Sequence, residues 1–266
     1  MNTIDFQAFI WQMGRELYRA MPWRDTTDPY FVLVSEFMLQ QTQVERVVPK
    51  FNAFIKRFPD VFALASASLA EVLVLWSGLG YNRRAKYLHQ AAKKIVTDFD
   101  GVVPSIQAEL VSLPGIGPNT AAAVLAYSFN QPVVFVETNI RSVYFHHFFE
   151  DATSVNDHAL RQVVRATLDE TQPRQWYWAL MDYGSYLKRQ GSGRVAKSLH
   201  YKKQSPFKGS MREVRGQIIR LLTRGDTTEV VLRTQLEADN RFATALKDLI
   251  RDGLVERSRG QLHLTK

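Results

Sequence analysis

Cysteine is absent from all 266 residues. Its absence excludes disulfides, thiolate zinc sites, cysteine-ligated iron–sulfur clusters and cysteine nucleophiles, while saying little about redox compartment. Long apolar runs are missing too. No stretch approaches the roughly 18 apolar residues of a membrane span. Residues 1–11 place Asp5 in an amphipathic pattern, without the basic start and apolar run of a signal peptide. These gaps lead us to expect a cytoplasmic protein with no membrane attachment, no bound metal and no cofactor. Acidic charge is in short supply: 26 Asp and Glu against 34 Lys and Arg leave a formal net charge of +8. That balance favours polyanionic partners, nucleic acid first and an anionic membrane surface second. Alternating, strand-like runs are scarce before the C-terminal end.

What is present is helical spacing almost throughout. Apolar residues recur at Leu69, Val72, Leu73 and Trp76 and again over residues 121–129. Turn signals punctuate them at Met21-Pro22, Asp28-Pro29, Asp100-Gly101, Pro114-Gly115 and residues 191–193. The pattern predicts an all-α body of many short helices, long enough to bury a core as one large or two to three small domains. Residues 186–212 contain no Asp or Glu, while Lys188, Arg189, Arg194, Lys197, Lys202, Lys203, Lys208 and Arg212 all fall there. Such a stretch is either a solvated linker or a contact to a phosphate backbone. Beyond it, helical patterns over residues 215–222, 227–236 and 241–252 precede two short strands, residues 254–257 and 261–264, around Arg259-Gly260. Helices followed by a small hairpin resemble a winged-helix module, which can serve DNA binding or packing alone.

Three blocks carry chemistry. The first is Pro22-Trp23-Arg24, Asp28-Pro29-Tyr30 and the run from Ser35-Glu36 through Met38-Leu39-Gln40-Gln41-Thr42 to Val44. The second is Trp76-Ser77-Gly78-Leu79-Gly80-Tyr81 with Arg83, Arg84 and Ala85. The third runs from Leu113-Pro114-Gly115-Ile116-Gly117 through Thr120 to Val136-Glu137-Thr138-Asn139-Ile140-Arg141. In the third block, two glycines supply positive φ and close approach, so that backbone N–H groups at the start of the next helix face outward. Gly115, Ile116, Gly117 and Thr120 then suit a phosphate, a docking point that reads no sequence; an ordinary capped helix–helix turn would look alike. Glu36 falls inside a helix expected over residues 31–44, on a polar stripe with Gln40 and Gln43, where burial would let it hold a proton near neutrality. His146-His147 lacks further ligands at metal spacing and reads as a core or polar-face pair.

In order and spacing, the three blocks resemble the adenine DNA glycosylases of the helix-hairpin-helix superfamily over about residues 20–187, built here without the iron–sulfur cluster. The resemblance implies a two-lobed glycosylase body: residues 1–20 and 130–187 as one helical lobe, and 21–129 as a six-helix barrel lobe with the hairpin. A basic linker over 188–212 and a winged-helix-like domain over 213–266 complete the chain. It makes Glu36 the acid that protonates the departing base, and sends Gln41 and Tyr81 into the base stack. Arg24 and Asn139 are expected at the DNA as well, although Asn139 can equally cap the helix that follows. Three positions depart from the family. Glu137 replaces the aspartate that stabilises the sugar cation. Asn119 stands where endonuclease III relatives carry a Schiff-base lysine, which argues against strand cleavage. Lys188 occupies the place of the first cluster cysteine. The expected function is a monofunctional, monomeric enzyme acting on double-stranded DNA, with adenine mispaired with guanine or oxidised guanine as substrate. A thymine, uracil or other modified base, or a catalytically impaired DNA-binding protein on the same scaffold, remain open at this point.

Overall fold

A computed structural model describes residues 2–198 and 206–266. The chain runs α1 (Thr3–Glu16), α2 (Pro29–Leu39), α3 (Val44–Arg57), α4 (Val61–Ser66), α5 (Leu69–Trp76), α6 (Arg83–Asp98) and α7 (Gln107–Val111). It continues through α8 (Pro118–Phe129), α9 (Thr138–His147), α10 (Asp157–Thr167) and α11 (Pro173–Arg189). Then follow α12 (Met211–Leu222), α13 (Glu229–Gln235), α14 (Arg241–Arg251), β1 (Val255–Ser258) and β2 (Gln261–Leu264). The expected all-helical body is there, closed by the expected hairpin.

Two compact units emerge. The first comprises Met1–Val32, Ser105–Val111 and Ile116–Lys203, and the second Leu33–Pro104, Ser112–Gly115 and Gln204–Lys266. These differ from the lobes read off the sequence. The small-residue helix α8 belongs to the first unit, because it packs on α11. The C-terminal module is not separate but part of the second unit.

In the first unit, α11 lies along both α9 and α1. Trp176, Tyr177, Tyr144 and Phe6 are fully buried there, and complete burial of a large apolar side chain contributes about 1.5–3 kcal/mol. Gly184 sets the α9–α11 approach: a Cβ at that position would lie 2.1 Å from the Asn139 carbonyl oxygen. Beneath them Asp182, 1% exposed, holds Arg24 in a two-pronged pair at 2.7 and 3.1 Å and takes Arg19 Nε at 2.7 Å. His147 packs on Phe6 and Phe9 and hydrogen-bonds the Tyr183 hydroxyl at 3.0 Å. Burial pulls its pKa down to about 4, so it is a neutral core histidine.

In the second unit, α6 packs on α4 and α5 around Phe54, Phe58 and Trp76. The start of α5 is fixed by a capping box, Ser68 Oγ accepting from the Glu71 amide and Glu71 Oε2 from the Ser68 amide. In the C-terminal module α12 packs on α14, and β1 pairs antiparallel with β2 in the register Val255↔Leu264. Thr227 adds a bridge to Leu262 on the far side of β2. The module is seated on α6: Asp252 accepts from Arg215 at 2.6 Å, and its carbonyl takes Lys86 Nζ at 2.6 Å.

Candidate active site and nucleic-acid interface

The first unit positions Glu137. Its approach, residues 133–136, lies outside any helix or strand, and side chains serve three of its carbonyls. Tyr177 Oη donates to Val133 at 2.7 Å, Arg161 NH1 to Val134 at 3.1 Å and Asn119 Nδ2 to Val136 at 3.1 Å. Asn119 is oriented in turn by Arg161 NH2, 2.8 Å from its Oδ1. Asn119, expected beside Glu137 at the site, takes a positioning task on the carbonyl of the residue before Glu137. Glu137 itself is the N-cap of α9, in extended conformation, and its side chain makes no capping hydrogen bond among the described residues. Burial raises its pKa above the ordinary carboxylate value, while its place at a helix N-terminus favours the anion once a positive charge arrives.

Asn139, read as a possible cap, lies inside α9 instead, because Glu137 already occupies the cap position. Its Oδ1 accepts from Lys188 Nζ at 3.2 Å. Lys188 thus ties the end of α11 to the first turn of α9. The chain beyond it is laced back in the same way: Arg194 pairs with Glu150 at 2.6 Å, and Lys197 Nζ donates to the carbonyls of Phe149 and Glu150. Arg194 and Lys197 are engaged internally rather than presented along a linker; Lys202 and Lys203 lie outside the described residues.

The hairpin between α7 and α8 has the expected turn, with a different division of labour between its glycines. Gly115 has φ 77°, and a Cβ there would meet Tyr87 Cβ at 2.6 Å and the Phe37 ring at 2.9 Å. Gly117 has φ −91° and needs neither freedom: it is the N-cap of α8, and a Cβ would meet no described atom within 4 Å. Ile116 is buried as an anchor, while Gly117 and Asn119 are exposed and Thr120 half-buried. With no side-chain cap on α8, its first turn offers outward N–H groups, and smoothness at Gly117 matters only to something approaching from outside.

In the second unit, helix α2 ends at Leu39, not at Val44 as the sequence suggested, so Gln40 and Gln43 do not share a helical stripe with Glu36. The cause is Arg84. Its NH1 donates to the carbonyls of Phe37 at 2.7 Å, Met38 at 3.0 Å and Gln40 at 2.6 Å, closing the end of α2. Its NH2 reaches Thr42 Oγ1 at 3.0 Å and the carbonyls of Gly80 at 3.1 Å and Leu79 at 3.4 Å. Burial lowers the Arg84 pKa to about 10, which leaves it charged at neutral pH. One guanidinium therefore holds two turns, and at each a non-glycine residue is left-handed: Gln41 at φ 55° and Tyr81 at φ 47°. Such conformations are strained by about 1–3 kcal/mol and persist where the surroundings enforce them. These are the two side chains that the family resemblance sends into the base stack. The sequence motif holds Arg84 without revealing this role; its signal is an arginine on a helical face otherwise made of Ala85, Leu88 and Ala92, all buried. Glu36 sits half-buried on α2 between Ser35 and Phe37, both buried.

Arg24, expected at DNA, is corrected by the structure. It is 8% exposed and bound at both ends of its fork by Asp182, and its NH1 also donates to the Arg19 carbonyl at 3.0 Å. A guanidinium so held is a structural ion pair.

A glycine hairpin feeding an uncapped helix points to the helix-hairpin-helix class of DNA-binding proteins, and comparison narrows the class to a family. The model for the HhH-GPD superfamily of base excision DNA repair proteins matches residues 34–166, and the chain belongs to that superfamily. It is 36% identical over 265 residues to an adenine DNA glycosylase of Mycolicibacterium smegmatis, covering 90% of this chain and 89% of that protein. It is 35% identical over 192 residues to an adenine DNA glycosylase of Buchnera aphidicola subsp. Baizongia pistaciae, covering 70% of this chain and 54% of the relative's length. Among solved structures, a thermostable thymine-DNA glycosylase superimposes with a TM-score of 0.63 at 25% identity, over 69% of this chain and 86% of that one.

Proposed function

We propose that the protein is a monofunctional DNA glycosylase that hydrolyses the N-glycosidic bond of adenine mispaired in duplex DNA and leaves an intact abasic site, acting as a cytoplasmic monomer. The observation that carries this reading is the setting of Glu137. Three side chains pin the backbone leading to it, and its carboxylate is kept off capping duty and partly desolvated at a helix N-terminus. A carboxylate so held stabilises positive charge developing at the anomeric carbon and can orient the attacking water. The extra methylene relative to the family's aspartate matters, since a displacement of about 1 Å can cost roughly 100-fold in rate; the pinned backbone sets where the longer side chain starts. Glu36 protonates the departing base, turning a poor leaving group into a good one. Gly115, Ile116, Gly117 and Thr120 dock one phosphate, and Gln41 and Tyr81 fill the gap left by the flipped nucleotide. At Asn119 an amide replaces the amine that a Schiff base would require.

A single-turnover assay over a panel of base pairs tests the proposal. Free adenine should appear from a mispaired duplex, with no borohydride-trapped adduct, and Glu36→Gln should slow release by at least about 100-fold. Release of thymine instead, which the likeness to the thymine-DNA glycosylase makes the second reading, would reassign the pocket. No release from any duplex would make this a DNA-binding protein on a glycosylase scaffold.

A further inference from the structure

Tyr81 is held from two directions, and one of them is the C-terminal module. The Arg84 guanidinium carbon lies 5.6 Å from the Tyr81 ring centroid and that of Arg212 lies 5.3 Å from it. Arg212 NH1 also donates to the Tyr81 hydroxyl at 2.5 Å. Arg212 belongs to the first turn of α12, 131 residues further along the chain. The same module grips the residues that follow Tyr81. Asp252 lies 3.7 Å from Arg83 Nε and accepts from Arg215, while the Asp252 carbonyl takes Lys86 Nζ. The chain turns away immediately afterwards at Gly253, where φ is 63° and a Cβ would sit 2.6 Å from Lys86 Nζ. The module thus closes over the turn that presents Tyr81, with one contact on the ring and a second set on the first turn of α6.

We propose that Arg212 is a positioning residue for Tyr81, and that the C-terminal module is part of the apparatus that opens the base stack rather than a separate DNA anchor. This rests on the reading of Tyr81 as the inserted side chain. A half-buried tyrosine ring at a turn loses its remaining rotamer freedom when it enters a duplex. A guanidinium that already fixes the ring face and the hydroxyl removes that loss before DNA arrives, which is preorganisation in the ordinary sense. Arginine suits the task because its flat fork stacks on an aromatic face and donates in the same plane, which a lysine ammonium cannot do. An acidic or apolar residue at position 212 would lose both contacts.

The test uses the full chain and a duplex with 2-aminopurine beside the target base, so that fluorescence reports unstacking, together with single-turnover excision and binding to an undamaged duplex across salt. Arg212→Ala should reduce the unstacking signal and the excision rate by about tenfold, the scale of one charge-assisted hydrogen bond. Binding to undamaged duplex and its salt slope should stay unchanged. Tyr81→Phe, which keeps the ring and removes the acceptor, should reproduce part of the loss, and the double variant should be no worse than Arg212→Ala alone. Arg212→Lys should recover less than half of the lost signal. Additive effects in the double variant, or a salt slope lowered by about 0.9 in Arg212→Ala as for a lost phosphate contact, would overturn the proposal and leave Tyr81 as the wedge. An unchanged unstacking signal in Tyr81→Ala would instead remove the wedge reading itself.

Discussion

Replacing Arg84 with methionine tests how the two left-handed turns are held. The guanidinium offers five N–H groups, and its two terminal nitrogens reach six oxygens, while Nε finds no partner among the described residues. Methionine fills much of the same space but takes the arginine donor from the Phe37, Met38 and Gln40 carbonyls at the end of α2, while the Gly80 carbonyl keeps only the Trp76 indole N–H at 3.2 Å. Each buried acceptor left without a donor costs about 1–3 kcal/mol, so losing the charged donor that several of them share should cost about 3–5 kcal/mol in all. At about 2–4 °C per kcal/mol for a chain of this size, Tm should fall by about 6–20 °C. Arg84→Lys keeps the charge but has three donors on one nitrogen and cannot fork between the two turns, so it should recover less than half of that loss. Thermal unfolding followed by circular dichroism measures the stability. Excision at a temperature where both variants remain folded should still be at least about tenfold slow, because Gln41 and Tyr81 relax out of their strained conformations. A fall of less than 3 °C, or full activity in a destabilised but folded Arg84→Met protein, would refute the idea that this one side chain sets both turns.

Other outcomes follow from single features. Glu137 has a folded-state pKa above its unfolded value of 4.5, so its favourable contribution is complete below about pH 4.5 and is lost as pH rises through the raised value. Glu137→Gln should therefore raise Tm at pH 7–8, show a shrinking gain towards pH 4.5, and lower the excision rate by at least about 100-fold; equal Tm values at both pH values would show that the carboxyl is not desolvated. Gly117→Ala should leave Tm within about 1 °C yet weaken binding to every duplex alike, whereas Gly115→Ala, with its positive φ and two close contacts, should lower Tm by several degrees. If both behave alike in thermal unfolding, the hairpin glycines do not divide their work as described. Truncation after Phe207 should slow excision, with little change in binding to undamaged duplex and none in the preference between oxidised and normal guanine opposite adenine. A strong preference lost on truncation would mean that the module inspects the opposite base.

Local patterns told most of the fold. Helical spacing, turn residues and the terminal hairpin are all decided within a few residues of where they occur, and so is the glycine turn at Gly115. The misreadings share a different cause: each depends on a partner far away in sequence. Apolar spacing continues past Leu39 into Val44 and Val47, so α2 looks longer than it is, and only Arg84, 44 residues beyond Gln40, ends it. Arg24 sits in a motif beside residues expected at DNA, yet Asp182 claims it from 158 residues away. Asn139 is a better intrinsic cap than glutamate, but Asn119, Arg161 and Tyr177 fix the preceding chain so that the helix starts two residues earlier, with Glu137 as its cap. The lysines and arginines after α11 read as a charged tail because their acceptors, the carbonyls of Phe149 and Glu150, carry no signature in a sequence.

The pairing of Arg24 with Asp182 also bears on how the chain is made. During synthesis Arg24 emerges long before Asp182, and joining the ends of so long a loop carries an entropic penalty that grows slowly with length. Until the carboxylate arrives, the site can exist only with an arginine left wet or buried alone, and an uncompensated buried charge costs about 3–5 kcal/mol. The first unit therefore cannot close early around a partial chain. A polypeptide halted anywhere short of α11 would stay open, exposing the aromatic faces of α1 and α9 to proteases, so that only chains extended past Asp182 would persist in the folded pool.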